Sequence, residues 1–413
     1  MLALLLSLQI GAAPSQPSLH PLHRPATKVA ATGKTRHYYI AADEVIWDYA
    51  PHGTNLITGR AFDPFQQLFT TRGPHQIGSK SKKALFREYT DATFRTLKPR
   101  APEDEYLGFL GPVIRAEVGD TLKVMFKNNA TRPYSMHPHG VFYDRSSEGA
   151  GYQDNTGVVQ EGNAVQSGKT FTYTWIASER AGPASMEGSS VLWMYHSHVS
   201  ESADINSGLI GPLIVTARGR ARADGSPKDV DRELVVAFAE LDENLSWYFD
   251  DNIKQYTLDP AGVKKAVGPT FVDPFGATNL RESINGFLYG NGPVPTMREG
   301  QHVRWYVMST TNFELHAPHW HGNVVTAQHM KTDVITLGTM GMVVADMIAD
   351  NPGTWLFHCH IEPHFMAGMQ TRFTVLPRSP AVPSEITALA SPSTSSAPAF
   401  VPIPDSHAER MSR

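Results

Sequence analysis

Apolar and polar residues alternate with period two along Leu122-Lys123-Val124-Met125-Phe126-Lys127 and again along Thr170-Phe171-Thr172-Tyr173-Thr174-Trp175. That period puts one side of an extended chain toward a core and the other toward water, so both stretches are expected to be half-buried strands. Val303-Arg304-Trp305-Tyr306-Val307 alternates in the same way, and Gly300 precedes Val303 at the interval by which Gly119 precedes Leu122. The likeness extends further. His137-Pro138-His139-Gly140-Val141 is answered by His319-Trp320-His321-Gly322-Asn323-Val324, and Trp193-Met194-Tyr195-His196-Ser197-His198 by Trp355-Leu356-Phe357-His358-Cys359-His360. A chain that repeats a pattern of strands is expected to hold two copies of one β-domain.

The limits of those copies follow from composition. Met1 to Ala13 is short, apolar and ends in small residues, as a signal peptide does, and predicts export to the periplasm or the exterior; without export the chain would be cytoplasmic. Residues 14–35 and 378–413 are rich in Pro, Ser and Ala and are expected to be a flexible lead-in and a disordered tail. Between them the first domain is expected over 36–217, a turn-forming polar linker over 218–229, and the second domain over 230–377. The 413 residues suffice for two domains, and the 33 Gly and 30 Pro suit a loop-rich, all-β architecture.

Charge and hydropathy remove two classes of partner. Thirty-six Lys and Arg against 40 Asp and Glu leave a net charge of -4, with no basic excess for nucleic acid. No apolar run approaches the roughly 18 residues needed to span a bilayer, so no membrane partner is expected. The single Cys excludes an internal disulfide.

The chemistry lies in the histidines. In an extended chain residues i and i+2 share a face about 7 Å apart, so each His-x-His pair presents two imidazoles on one side. One such pair is most simply chance or core packing; four in matched repeat positions point to eight imidazoles converging on a metal cluster. Imidazole accepts copper, zinc, iron or nickel. Cys359 narrows the choice. Its side chain points away from those of His358 and His360, toward His364, His316 and Met369, and two imidazoles, a thiolate and a weak axial thioether form the blue-copper set. Cys359 is also joined to the imidazoles of His358 and His360 through single peptide units, a covalent route for an electron.

The motifs HPH, HSH, HAPHWH and HCHIEPHFMAGM resemble those of the multicopper oxidases, and stretches such as HYYIAADEVIWDYAPHG and LGPVIRAEVGDTLKVMFKNNATRPYSMHPHGV are most similar to ceruloplasmin-like members. The resemblance implies two tandem cupredoxin domains, each a Greek-key β-barrel or sandwich, carrying four copper ions per chain. It assigns His316, Cys359, His364 and axial Met369 to a type 1 copper, and His137 and His319 to a type 2 copper. The type 3 pair then takes His139, His196 and His360 on one ion and His198, His321 and His358 on the other. Tyr134, Ser197 and Leu209 stand where His316, Cys359 and Met369 would repeat, so the first domain is expected to hold no type 1 copper. Two-domain members close into rings, which implies a homotrimer with clusters between chains.

The activity implied is oxidation of a small reductant, a phenol or low-valent metal ion, with dioxygen reduced to water. Copper nitrite reductase, which needs only the type 2 ion beside the type 1, and a non-catalytic A-domain-like binding module are the alternatives. Glu362, two residues after His360, faces the cluster if the strand continues, and Glu148 follows the HPHG loop; both are candidate proton donors. Mammalian ferroxidases carry an acidic residue where Pro363 stands and a histidine where Glu282 stands, and these departures argue against iron as the reductant. Met330, Met340, Met342, Met347 and Met366 offer thioethers to Cu(I), though core and loop packing accounts for them more simply.

Overall fold

The computed structural model describes residues 33–263, 274–310 and 314–378. The leader, nearly all of the lead-in and the tail beyond Arg378 lie outside them.

Nine strands build the first sandwich: β1 (Thr35–Asp48), β2 (Lys80–Glu88), β3 (Ile114–Glu117), β4 (Thr121–Asn128), β5 (His137–Pro138), β6 (Phe142–Tyr143), β7 (Thr170–Ile176), β8 (Ser190–His196) and β9 (Ile210–Thr216). One sheet runs β2-β1-β4-β7-β6 and the other β3-β9-β8-β5. The second sandwich uses β10 (Arg232–Asp242), β11 (Leu280–Ile284), β12 (Thr296–Arg298), β13 (His302–Ser309), β14 (Pro318–Trp320), β15 (Val325–Ala327), β16 (Met330–Thr332), β17 (Met342–Ile348), β18 (Gly353–Cys359) and β19 (Gln370–Leu376). Its sheets run β11-β10-β13-β17-β15-β16 and β12-β19-β18-β14. Strand for strand the second order repeats the first, with β16 added at one edge. The parallel pairings repeat too, β1 with β4 as β10 with β13, and β3 with β9 as β12 with β19. The helices are short: α1 (Pro64–Thr70), α2 (Glu201–Asn206), α3 (Phe249–Tyr256), α4 (Pro274–Ala277) and α5 (Glu362–Ala367). Among the described residues no helix is long and apolar enough to cross a membrane.

The expected strands fall within β4, β7 and β13, and in β4 burial alternates residue by residue. In β13 it does not. Arg304 and Tyr306, read as a polar outer face, are 1% and 0% exposed. The reason is the neighbouring sandwich: Arg304 donates to Ser189 and Ser190 Oγ, both at 2.8 Å, and the Tyr306 hydroxyl lies 2.6 Å from Ser190 Oγ. On another side of the junction, Lys83 on β2 pairs with Glu243 beyond β10, and Tyr49 donates to the same carboxylate. Lys83 and Glu243 side chains are both fully buried, so each charge depends on the other for its solvation. These contacts set the sandwiches against each other; of the imidazole-bearing strands, β5 and β14 lie at sheet edges, and β8 and β18 carry their histidines at or just beyond their C-terminal ends.

Candidate metal centres

β5 pairs antiparallel with β8 so that His137 lies opposite His196. Two-residue spacing then brings His139 and His198 to the same side, and the four rings gather with centroids 5.1 to 5.6 Å apart along the contacts that join them. His137 Nδ1 lies 2.8 Å from the Glu148 carbonyl oxygen and His196 Nδ1 3.0 Å from that of Ser197. A carbonyl only accepts, so both Nδ1 atoms carry the proton and both Nε2 atoms keep a lone pair, the state a metal requires. His139 and His196 face each other Nε2 to Nε2 at 3.1 Å.

The second sandwich repeats this arrangement. His319 lies opposite His358 across β14 and β18, and His321 and His360 complete a second quartet with centroids 4.5 to 5.6 Å apart along its contacts. His358 Nδ1 is 2.8 Å from the Cys359 carbonyl oxygen, and its Nε2 is 3.0 Å from His321 Nε2. Burial pushes His139 and His358 down to about 4 and His196 to about 3, so these imidazoles are neutral at neutral pH. Among the described residues, every metal-capable grouping of donor atoms draws on one sandwich alone. Each quartet is half of the expected cluster.

Beside the second quartet lies the expected type 1 set. The donor atoms of His316, Cys359 and His364 lie within 4.8 Å of one another. Cys359 is fully buried, its Sγ 3.6 Å from His364 Nδ1, and the Ala317 N–H donates to it at 3.3 Å. His316 Nδ1 is buried without a hydrogen-bond partner, and burial pushes this imidazole down to about 3. An orphaned buried nitrogen costs free energy unless something takes its lone pair. Two neutral imidazoles, a thiol and the buried Met369 fit a copper ion.

The corresponding place in the first sandwich has been rebuilt. Ser197 N–H donates to Leu209 O at 3.1 Å, as Cys359 N–H does to Met369 O. The Leu209 N–H donates to Asp204 O as the Met369 N–H does to His364 O. Asp204 therefore stands where His364 stands, a correspondence that motif spacing alone did not give because the intervals differ by two residues. Its carboxylate accepts from Ser197 Oγ, from the Val199 and Ser200 N–H groups and from Trp247 Nε1. Tyr134, in place of His316, is fully buried with its hydroxyl 3.2 Å from that of Tyr248. Hydrogen bonds occupy the place that the His316, Cys359 and His364 side chains take in the second sandwich.

Carboxylates surround both kinds of site. Glu240, Glu314 and His364 bring donor atoms within 4.8 Å of one another. Glu282 is 6% exposed, with Oε2 unpartnered, and burial together with the charges of Glu240 and Glu314 raises its pKa well above the carboxylate range. Sequence spacing does not link these three glutamates, which lie on separate segments. Glu201, also not anticipated, opens α2 and approaches His198 Nε2 to 3.6 Å and His196 Nε2 to 3.8 Å. The expectation for Glu362 needs correction: β18 ends at Cys359 and Glu362 is the exposed first residue of α5, so no continuing strand turns it to the cluster. Glu148 has its carboxylate 2.7 Å from Arg145 and its carbonyl on His137. Of the five methionines, Met347 is buried, Met340 and Met342 pack against the core, and Met330 and Met366 are exposed.

Comparison with known proteins places this geometry. Two multicopper oxidase family models match residues 107–220 and 266–379. Ferroxidase HEPHL1 of Mus musculus is 42% identical over 346 residues, 83% of this chain and 29% of that protein. Ceruloplasmin of Homo sapiens is 39% identical over 348 residues, 84% of this chain and 32% of that one. The chain thus spans about a third of the length of the curated relatives it matches. Among solved structures, a multicopper oxidase superposes with a TM-score of 0.51 at 20% identity, covering 83% of this chain and 89% of that one. A copper nitrite reductase from Nitrosomonas europaea gives 0.51 at 17% identity over 83% and 94% of the two chains, a likeness of fold. With two sandwiches of one strand order, the motifs in register and both family models matched, the chain belongs to the multicopper oxidase family.

Proposed function

We propose that the protein is a copper-dependent oxidase that takes electrons from a small reductant and delivers them to dioxygen. One observation carries the reading. The Nε2 to Nε2 approaches of 3.1 Å for His139 and His196 and 3.0 Å for His321 and His358 fall on imidazole pairs that the family pattern assigns to a common type 3 ion. Each ion needs a third imidazole, His360 for the first pair and His198 for the second, from the opposite sandwich. The type 2 ion likewise takes His137 from one sandwich and His319 from the other, and His316, Cys359, His364 and Met369 hold the type 1 ion. Bound copper supplies one-electron redox chemistry at the Cys359 site and four-electron reduction of dioxygen at the cluster.

Among the described residues every metal-capable grouping lies within one sandwich, which supports assembly between chains, with the first sandwich of one subunit facing the second of the next in a closed homotrimer. Eight imidazoles argue against a nitrite reductase, which needs only the type 2 site, and a complete ligand set argues against a binding module. The apolar leader Met1–Ala13 favours export. Glu201, beside His196 and His198, joins Glu148 as a carboxylate able to hold a proton near the cluster.

For the reductant, the carboxylates beside His364 favour a divalent metal ion. Glu282 replaces a family histidine by another metal donor and lies close enough to Glu240 and Glu314 for their charges to raise its pKa, while Glu240, Glu314 and His364 bring donor atoms within 4.8 Å of one another and the exposed Glu314 lies 3.8 Å from His364 Nε2. Hard oxygen donors suit Fe(II) better than Cu(I). Steady-state rates of the copper-loaded protein with Fe(II), Cu(I) and a phenol test this directly. Preference for Fe(II) is expected; a phenol oxidised with far higher kcat/KM would overturn the choice of reductant.

A further inference from the structure

We propose that Arg145 is a positioning residue for the His137 and His198 imidazoles. The inference rests on the reading of the first quartet as copper ligands and adds to it the group that holds two of them in place. After β6 the chain folds back as a loop from Asp144 to Asp154 that runs along the quartet. Two contacts tie this loop to ligands: the Glu148 carbonyl accepts from His137 Nδ1 at 2.8 Å, and Ala150 forms a β-bridge with His198. Between them Gly149, at φ +74°, is pressed so close to the ligand strand that a Cβ there would lie 2.2 Å from the Met136 carbonyl oxygen. The loop backbone therefore sets the tautomer of one imidazole and the strand position of another.

Arg145 fastens that backbone. Its Nη1 donates to the Ala150 carbonyl at 2.9 Å and to Glu148 Oε2 at 2.7 Å, and its Nε donates to Asp154 Oδ2 at 3.0 Å. The guanidinium also stacks 4.3 Å from the Tyr152 ring centre, and the Tyr152 hydroxyl completes the circuit by donating to Glu148 Oε2 at 3.3 Å. Ordinary surface ion pairs contribute little. This one differs in holding a backbone carbonyl and two carboxylates at once through a planar fork, a geometry that an ammonium cannot reproduce. Loss of a partner that orients a ligating histidine typically weakens metal binding about 10- to 100-fold.

The test uses the full chain as wild type, Arg145→Met and Arg145→Lys. In copper-free protein labelled with 15N-histidine, wild-type His137 is expected to be the Nδ1–H tautomer; Arg145→Met should mix the tautomers, with His319 unaffected in the other sandwich. After copper loading, Arg145→Met should lose about tenfold or more in type 2 copper affinity and show an altered type 2 electron paramagnetic resonance signal, while the blue Cys359 band stays at full strength. Arg145→Lys should lie between. A folded, blue Arg145→Met protein with the wild-type tautomer and type 2 signal would overturn the proposal. Failure of the copper-cluster reading looks different: wild type itself would show no type 2 signal, and the tautomer measurement on copper-free protein would still judge Arg145.

Discussion

Ser197 occupies in the first sandwich the position that Cys359 occupies in the second. A backbone N–H just ahead of the neighbouring strand, β5 or β14, points at each side chain, Ser135 to Ser197 Oγ at 3.1 Å and Ala317 to Cys359 Sγ at 3.3 Å. The first sandwich thus displays what becomes of this site when the sulfur is an oxygen: a carboxylate replaces the second imidazole, and the hydroxyl donates to it at 2.6 Å.

The same exchange can be made in the second sandwich. Cys359→Ser should fold, because serine is tolerated at the equivalent position, but should lack the visible band and turnover, since Cys359 is the only thiol in the chain. The type 2 signal should persist, because the cluster imidazoles are untouched. Absorption and electron paramagnetic resonance on one copper-loaded sample check both; a blue Cys359→Ser protein would refute the type 1 assignment.

Glu282→Gln should separate function from stability. Burial and two neighbouring carboxylates disfavour its charge, so the neutral isostere should leave the melting temperature of the copper-free protein unchanged or raise it. Oxidation of Fe(II) should fall by about tenfold in kcat/KM, whereas an outer-sphere organic reductant should be unaffected. An equal loss with both reductants would remove Glu282 from the substrate site.

How much of this was legible in the sequence depended on whether the determinant is local. Period two marked β4 and β7, and the His-x-His spacing marked every member of both quartets, because strand geometry alone decides which side chains share a face. Arg304 and Tyr306 misled because the pattern tells polar from apolar and not which polar face another domain will cover. Glu240, Glu282 and Glu314 meet only through tertiary folding, and no interval along the chain records that. Asp204 was hidden for a smaller reason: it follows Ser197 by two residues more than His364 follows Cys359, one in the turn before the helix and one within it, which breaks the spacing that would have aligned the two.

The buried imidazoles make the copper-free protein sensitive to acid. Unfolded histidines titrate near 6.5, whereas burial holds His139 and His358 at about 4 and His196 and His316 at about 3. Between these values the unfolded chain binds more protons than the folded one, so stability falls as pH falls. Urea unfolding of copper-free protein should give a constant midpoint above pH 7 and a midpoint that drops steadily from about pH 6.5 toward pH 4. Copper binds neutral imidazole and favours the folded state, so loading should offset much of that loss. A flat profile down to pH 5 would mean that these rings are solvated and free to protonate.

Assembly between chains makes a quantitative claim about mixtures. A variant lacking His137 and His139 keeps an intact second quartet and blue site, and one lacking His319 and His321 keeps an intact first quartet. In a closed ring, each junction joins the first sandwich of one subunit to the second of the next, so one junction in every mixed trimer restores all eight imidazoles, with Cys359 present on the subunit that supplies its second sandwich. Random mixing of equal amounts makes three-quarters of trimers mixed, and the sample should recover about a quarter of wild-type activity after dissociation and reassembly. Clusters formed within a chain predict no recovery at any ratio, because neither variant carries a complete set. Light scattering on the wild type supplies the independent check: a fully active monomer would exclude a cluster shared between subunits, whatever the mixture does.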